Sequence, residues 1–394
     1  MNWFEVEKKF FLPVFKRFPV VLVRGEGAWV WDDQGKRYLD FIGGWAVNSL
    51  GHCHPAVAEA LSQQARKLIH TSNQVYTIPQ LELAQLLVKH SCLDKAFFCN
   101  SGAEANEAAV KLARKYGKLK LGGAFEVISA LNSFHGRTLA MVAATGQAKF
   151  QEPFIPLPDG FVNVEFSDVE AIKSATNPKT CAVLLEPIQG EGGVVFPSED
   201  YFRQVRKLCD EKGLLLILDE IQTGIGRTGT LFAYEQLGIE PDILTLAKGL
   251  GSGVPIGAVL VKEKASVFSP GDHGSTFGGN PLVCAAALAT LRFILENQVL
   301  ENVRRVGQYL LDQLARLRSK FGLVREVRGR GLLAAIEFER DLSEEVVRGC
   351  LERGLLLNPV RANAIRFMPP LIIGEAEVDR AVGILEEVLA QLVT

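Results

Sequence analysis

The sequence predicts an α/β fold, a mainly parallel central sheet with helices on both faces, joined to a smaller α+β domain at the C-terminal end. Three observations predict it. Short apolar runs, among them Lys95–Cys99, Phe125–Ala130, Ala182–Leu185, Leu214–Leu218 and Ile243–Leu246, are too brief for free-standing helices and alternate with stretches of helical apolar spacing. Each run gives way at once to polar, charged or glycine-rich residues, as a buried parallel strand does where it opens on a crevice. From Leu282 the pattern changes to a long helical stretch and then to mixed strands and helices, which marks a second, α+β unit. The chain therefore divides into an N-terminal arm with a small β segment (1–55), a large α/β domain (56–281) and a small C-terminal domain (282–394).

In chain order, residues 1–55 carry turn signals at Arg24-Gly25-Glu26-Gly27 and Asp32-Asp33-Gln34-Gly35 around Trp29-Val30-Trp31, which predicts a small meander outside the main sheet. Gly51-His52-Cys53-His54-Pro55 invites a metal reading, but no second ligand cluster stands at a workable spacing, and loop histidines before a proline turn are the simpler account. Pro55–Ile69 and Gln80–Lys89 read as helices, the second opened by Pro79. The polar stretch His70–Thr77 between them lines a site or crosses the surface. Ser101 and Glu104 have capping-box spacing ahead of an alanine-rich helix. Free amides at Gly102 and Ala103 beside the Ser101 hydroxyl would cradle a phosphate there, although a capping box that binds nothing explains the same residues. Glu199–Lys212 predicts a helix, Ile256–Val261 a strand, Leu282 to about Lys320 one long helical stretch, and Leu332–Phe338 a strand. Glu344–Arg353 predicts a helix, Ala364–Met368 an edge strand stopped by Pro369-Pro370, and Glu375 to about Leu392 a final amphipathic helix.

The exits of the five runs carry the chemistry. They present Ser101, then Phe134 with Arg137, then Glu186 with Glu191, then Asp219 with Gln222, and finally Lys248. In an open α/β sheet the carboxyl ends of the strands face one crevice, so a carboxylate and a lone lysine placed there share a cavity. That pairing suits pyridoxal phosphate, which needs an amine to engage its aldehyde and a carboxylate to keep its pyridine nitrogen protonated. Taken singly, Asp219 as a helix cap and Lys248 as a solvated surface residue explain these positions as well, and short matches have a high false-positive rate. Five polar exits in succession shift the balance toward a site.

Composition narrows the alternatives. With 48% hydrophobic and 22% charged residues and a net charge of −2, the 394-residue chain is that of an ordinary globular protein with no global electrostatic case for nucleic acid. Seven scattered cysteines, odd in number and without CxxC pairs, predict reduced thiols and a cytoplasmic protein. The aromatic and basic start is interrupted by Glu5 and Glu7, which predicts a structural arm rather than a targeting peptide. No apolar run approaches the roughly 18 residues that span a bilayer, so no membrane partner is expected.

In order along nearly the whole chain, FCNSGAEANEAAVKLAR, SFHGRT, EPIQGEGGV, LDEIQTGIGRTG, LAKGLGSGVPIGA, GSTFGGNPL and IRFMPPL resemble the class III pyridoxal-phosphate aminotransferases of fold type I. His70–Thr77 and Gly44–Pro55 are most similar to the acetylornithine aminotransferases within that family. The resemblance implies Lys248 as the cofactor lysine, Asp219 as the pyridinium partner, Gln222 near the ring hydroxyl and Phe134 stacked on the ring. It further implies Ser101, Gly102 and Ala103 as phosphate holders, Glu186 as a cofactor contact, and Thr276 reaching the phosphate of a neighbouring subunit, hence a homodimer with shared active sites. For substrates it implies N2-acetylornithine and 2-oxoglutarate or glutamate. Arg137 would take the far carboxylate, Arg366 the near carboxylate of glutamate, Glu191 would pair with Arg366 when the acetylated substrate binds, and Ser275 would also contact substrate. Trp45 departs from the pattern, standing where acetylornithine enzymes carry a small aliphatic residue and ornithine aminotransferases a tyrosine. Another ω-amine as donor, an aminomutase, or a cofactor-binding protein without turnover are the competing expectations, the last opposed by the presence of both Lys248 and Asp219.

Overall fold

Residues 2–393 are described in a computed structural model of the chain. The first three strands, β1 (Leu22–Glu26), β2 (Trp29–Asp32) and β3 (Arg37–Asp40), form the expected antiparallel meander. The main sheet contains β4 (Lys95–Cys99), β5 (Glu126–Ala130), β6 (Phe161–Val164), β7 (Thr180–Leu185), β8 (Leu215–Asp219), β9 (Ile243–Leu246) and β10 (Gly257–Val261), in the order β4-β10-β9-β8-β7-β5-β6. Only β10 runs against its neighbours. A last sheet holds β11 (Val324–Arg330), β12 (Leu333–Phe338), β14 (Asn358–Arg361) and β15 (Ala364–Phe367), in the order β11-β12-β15-β14, while β13 (Leu355–Leu356) pairs in parallel with β3. Among the described residues no single helix is long and apolar enough to cross a membrane.

The central strands form because their residues are apolar on both faces. Every residue of β7, β8, β9 and β10 is buried, as parallel strands sandwiched between helices must be. The helices of seven or more residues are α1 (Trp3–Phe10), α2 (Pro55–Ala65), α3 (Ile78–Lys89), α4 (Gly102–Lys120), α5 (Val169–Ala175), α6 (Tyr201–Lys212), α7 (Pro281–Glu296), α8 (Val299–Lys320), α9 (Ser343–Glu352) and α10 (Glu375–Val393). α4 lies against the sheet through Ala105, Ala108, Ala109 and Ala113, all without exposed surface. Small side chains there permit a close approach: a Cβ on Gly117 would stand 2.1 Å from the Ala124 carbonyl oxygen.

Several expectations are corrected. The stretch from Leu282 is two helices, α7 and α8, meeting at 71° where Gln298 takes a positive φ of 55°. β15 is not an edge strand, because it bonds to β12 on one side and β14 on the other. β6 and β11 were not anticipated. β6 intervenes between β5 and β7 in sequence, so the five polar exits are not consecutive strands, and β6 sits at the edge of the sheet only half-buried. β11 carries four charged residues and is mostly half-buried, and the N-terminal helix α1 buries none of its residues.

Candidate active site

Because β4 and β9 both run against β10, they point the same way as β5, β7 and β8. All five polar exits therefore open on one edge of the sheet. The antiparallel β10 starts at that edge, so its entry loop, Gly253–Ile256, closes the same space. The resulting cavity, about 480 Å³, is lined by Ser101, Gly102, Ala103, Phe134, Arg137, Glu186, Glu191, Asp219, Gln222 and Lys248, together with Val47, His135 and Ile221.

Ser101 caps α4, accepting from the Glu104 amide at 3.2 Å, while Glu104 accepts in return from the Asn100 amide at 2.7 Å and the Ser101 hydroxyl at 3.1 Å. The amides of Gly102 and Ala103 form no hydrogen bond with the rest of the described chain and sit at a helix N-terminus, where anions are favoured. A Cβ on Gly102 would meet the Ile221 side chain at 2.7 Å. Glycine keeps this cradle open.

Asp219 ends β8 and is clamped. Its Oδ2 accepts from Asn106 Nδ2 at 2.7 Å and His135 Nδ1 at 2.8 Å, and its Oδ1 from the Ile221 amide at 3.0 Å. Asn106 is oriented by donating also to the His135 carbonyl at 2.8 Å and accepting from Thr245 at 2.7 Å. Three donors fix the orientation of this carboxylate. The Nε2 atom of the fully buried His135 has no hydrogen-bond partner. Glu186, nearly buried, accepts from the amides of Phe134 and Gly190 at 3.1 and 3.3 Å. Burial first, and then Asp219 nearby, pushes its carboxyl up to about 7, against the pull of His135.

Lys248 follows β9 at a positive φ of 37°. Burial pushes its amine below the ordinary 10.5 and Arg366 acts in the same direction, opposed by Glu191, Asp219 and Glu186. Behind the cavity wall, Arg366 of β15 has no exposed surface. It donates to Gln222 Oε1 at 2.9 Å and to Glu191 Oε1 at 2.7 Å, while its Nε has no partner. Burial alone would raise the Glu191 carboxyl, but the Arg366 guanidinium and the Lys248 ammonium hold it down at about 2. Arg137 lies over the Phe150 ring at 3.8 Å and the Phe134 ring at 5.4 Å, with no carboxylate partner among the described residues.

Not every anticipated residue joins the cavity. Ser275 lies beside it, accepting from Asn100 at 3.2 Å and from the Gly278 amide at 3.0 Å, while Thr276 is exposed and outside it. Arg366 touches cavity residues from behind rather than lining the space. Trp45 sits in a left-handed turn, Gly43–Ala46, with φ between 56° and 66°, and its Nε1 donates to Asn358 Oδ1 at 3.0 Å. His52 bonds Asp40 at 2.8 Å and His54 caps α2, so each histidine of that motif has a structural partner. Asn106 and His135 were missed. The available signal was one amide on the buried alanine face of a helix, which reads as framework.

These residues fit pyridoxal phosphate: free helix-terminal amides for a phosphate, a buried carboxylate, a lysine with a lowered pKa and the Phe134 ring, around a cavity of suitable size. The family described as aminotransferase class-III matches residues 13–389. The chain is 52% identical to the acetylornithine aminotransferase of Caldanaerobacter subterraneus subsp. tengcongensis, covering 98% of each chain, and 52% identical to that of Methanocaldococcus jannaschii, covering 99% of this chain and 98% of the other. Among solved structures it resembles the ornithine aminotransferase of Toxoplasma gondii, described with partial occupancy of PLP at its active site, with a TM-score of 0.94 and 37% identity over 99% of this chain and 94% of that one.

Proposed function

The chain belongs to the class III aminotransferases and is a pyridoxal-phosphate-dependent transaminase, and we propose that it moves the terminal amino group of N2-acetyl-L-ornithine to 2-oxoglutarate, giving N-acetyl-L-glutamate 5-semialdehyde and L-glutamate. The observation that carries the substrate assignment is the Glu191–Arg366 pair at 2.7 Å, in which the guanidinium is fully buried and the carboxylate partly so. Glutamate carries a carboxylate on the reacting carbon, whereas the acetylated donor reacts at a terminal amine with a carboxylate only at its far end. A guanidinium with no exposed surface is costly without a counter-charge, so a site serving both substrates needs an internal one that withdraws. Glu191 neutralises Arg366 while the acetylated donor is bound and yields it to the near carboxylate of glutamate. Arg137, stacked on Phe150 and free of carboxylates, takes the far carboxylate of either substrate.

When bound, the cofactor supplies a ring that accepts electrons from the carbon exchanging its amine. The chain's own groups do the rest. Ser101 and the amides of Gly102 and Ala103 would hold the phosphate, Phe134 would stack on the ring with Gln222 and Glu186 beside it, and Asp219 would partner the ring nitrogen. Asn106 and His135 hold the Asp219 carboxylate in place. Lys248 would hold the cofactor, and its Nζ would carry a proton at the substrate carbon, a role favoured by the lowered pKa.

The functional unit in this proposal is a homodimer, in which Thr276 serves the partner's site, while Ser275, beside its own cavity, contacts substrate. Thr276 is exposed and outside its own cavity, and Phe10, Phe11, Leu12, Tyr76, Ile78 and Phe277 expose large apolar side chains that a second copy would cover. Seven cysteines, none in a disulfide, suit a cytoplasmic setting. Turnover of acetylornithine, ornithine, succinylornithine, 4-aminobutyrate and a carrier-linked lysine with 2-oxoglutarate tests the substrate. A clear preference for acetylornithine is expected. Negligible turnover of it alone would transfer the assignment to another ω-amine, and rearrangement without net glutamate would make the enzyme an aminomutase.

A further inference from the structure

Glu191 lies on a tight loop after β7, and the loop is gripped from two sides by one row of the last sheet. Gln189 and Val195 close its neck through reciprocal backbone hydrogen bonds of 3.0 and 3.1 Å. At its tip Gly193 has a φ of 107°, and the fully buried Val194 takes a φ of 56°. A β-branched residue holds that conformation only where surrounding contacts over-determine it. The contacts come from Arg328 on β11. Its Nε donates to the carbonyls of Gly193 and Val194 at 3.0 and 3.1 Å, and its Nη2 to Gly193 at 2.7 Å. Nη1 is held by Glu326 at 2.7 Å and Glu337 at 2.9 Å.

Strand register explains why one loop meets two arginines. Arg328 is opposite Ala335, and Ala335 is opposite Arg366. The three residues therefore share one face, with the arginines two strands apart, roughly 10 Å, and only an alanine methyl between them. Arg366 takes the Glu191 carboxylate and Arg328 the backbone behind it.

We propose that Arg328 is a positioning residue that holds the Glu191 loop closed on Arg366, and so sets the balance between the two substrates. This rests on the partner exchange at Arg366 proposed above. With the brace removed, Glu191 neutralises Arg366 less well. The half-reaction that needs the pair intact, with the acetylated donor, is weakened, and the half-reaction in which glutamate displaces Glu191 is spared. The planar fork matters because two adjacent carbonyls are bound, which an ammonium cannot match.

The test compares wild type, Arg328→Met and Arg328→Lys as cofactor-loaded enzymes in the two half-reactions, with the ω-amine the wild type accepts as donor, and follows amide hydrogen exchange in 189–195. Arg328→Met should lower kcat/KM for the ω-amine about tenfold, the scale of lost charge-assisted hydrogen bonds, with the glutamate value nearly unchanged and exchange faster in the loop. Arg328→Lys should fall between, and it carries the test if Arg328→Met does not fold. Equal losses in both half-reactions, or unchanged exchange in the loop, would overturn the inference. Arg366→Met separates the two ideas: if it discriminates between the half-reactions and the Arg328 variants do not, only the brace fails, whereas if it does not discriminate, the exchange fails and takes the brace with it.

Discussion

Replacing Glu191 with Gln keeps the shape of the side chain and removes the only carboxylate, among the described residues, on a fully buried guanidinium. Two routes give the size of the effect. Breaking a buried ion pair by removing one partner costs about 3–5 kcal/mol. The depression of the Glu191 carboxyl from its ordinary 4.5 to about 2, at about 1.4 kcal/mol per pH unit, corresponds to about 3 kcal/mol. Since the folded pKa lies below the unfolded one, this contribution is fully present above pH 4.5 and fades as pH falls toward 2. Urea denaturation of the cofactor-free proteins should therefore show wild type about 3 kcal/mol more stable than Glu191→Gln at pH 7, with the gap narrowing by about 2 kcal/mol at pH 3. In the loaded enzyme the same variant should lose more with acetylornithine than with glutamate. A difference below about 0.5 kcal/mol, the scale of an ordinary surface change, or one independent of pH, would refute the reasoning that Glu191 is the counter-charge of the buried Arg366.

Other perturbations reach the remaining walls of the site. Lys248→Ala should abolish amine transfer in single-turnover assays while far-UV circular dichroism stays native, and near-normal turnover would remove Lys248 from its role. Arg366→Ala should raise KM for glutamate far more than for acetylornithine, because only glutamate offers a carboxylate at that guanidinium; equal losses would contradict it. Gly190→Ala should disrupt the acceptor side, since a Cβ there would lie 1.9 Å from Gln222 Oε1, which itself accepts from Arg366; unchanged kinetics would show that the loop yields freely. Asn106→Ala should lower kcat about tenfold by removing one of two donors from Asp219 Oδ2, the scale of a hydrogen bond to a charged group, with weaker cofactor retention on dialysis as the accompanying readout; unchanged kcat would show that His135 alone holds the carboxylate.

The parts of the fold legible in the sequence were those whose burial is dictated locally. β4 and β9 match their apolar runs to the residue, and β5, β7, β8 and β10 differ only at their ends. A strand buried on both faces announces itself by unbroken hydrophobicity. β6 and β11 escaped because β6 is four residues interrupted by Asn163 and β11 carries charges at four of its seven positions, whereas the equally peripheral β4 keeps an apolar run, and β15 was taken for an edge because the following prolines look like an edge strand's end. The bend after α7 rests on one left-handed residue, Gln298, in a stretch whose apolar spacing continues across it. Within the site, residues at strand exits could be anticipated because topology sends them to one edge. Asn106, His135 and Arg328 could not, since each acts on a partner more than eighty residues away in sequence, and nothing in the local pattern of an alanine-rich helix or a charged strand names that partner.

The central claim is that Lys248 and its surroundings hold pyridoxal phosphate and pass it the terminal amine of N2-acetyl-L-ornithine. Its most direct test is the visible absorption spectrum of the purified, cofactor-loaded protein before and after that donor is added without 2-oxoglutarate. The account predicts a yellow protein whose visible band bleaches on addition of the donor and returns with 2-oxoglutarate. A band unchanged by acetylornithine but bleached by another ω-amine would contradict the substrate, and a protein that takes up no cofactor would contradict the site itself.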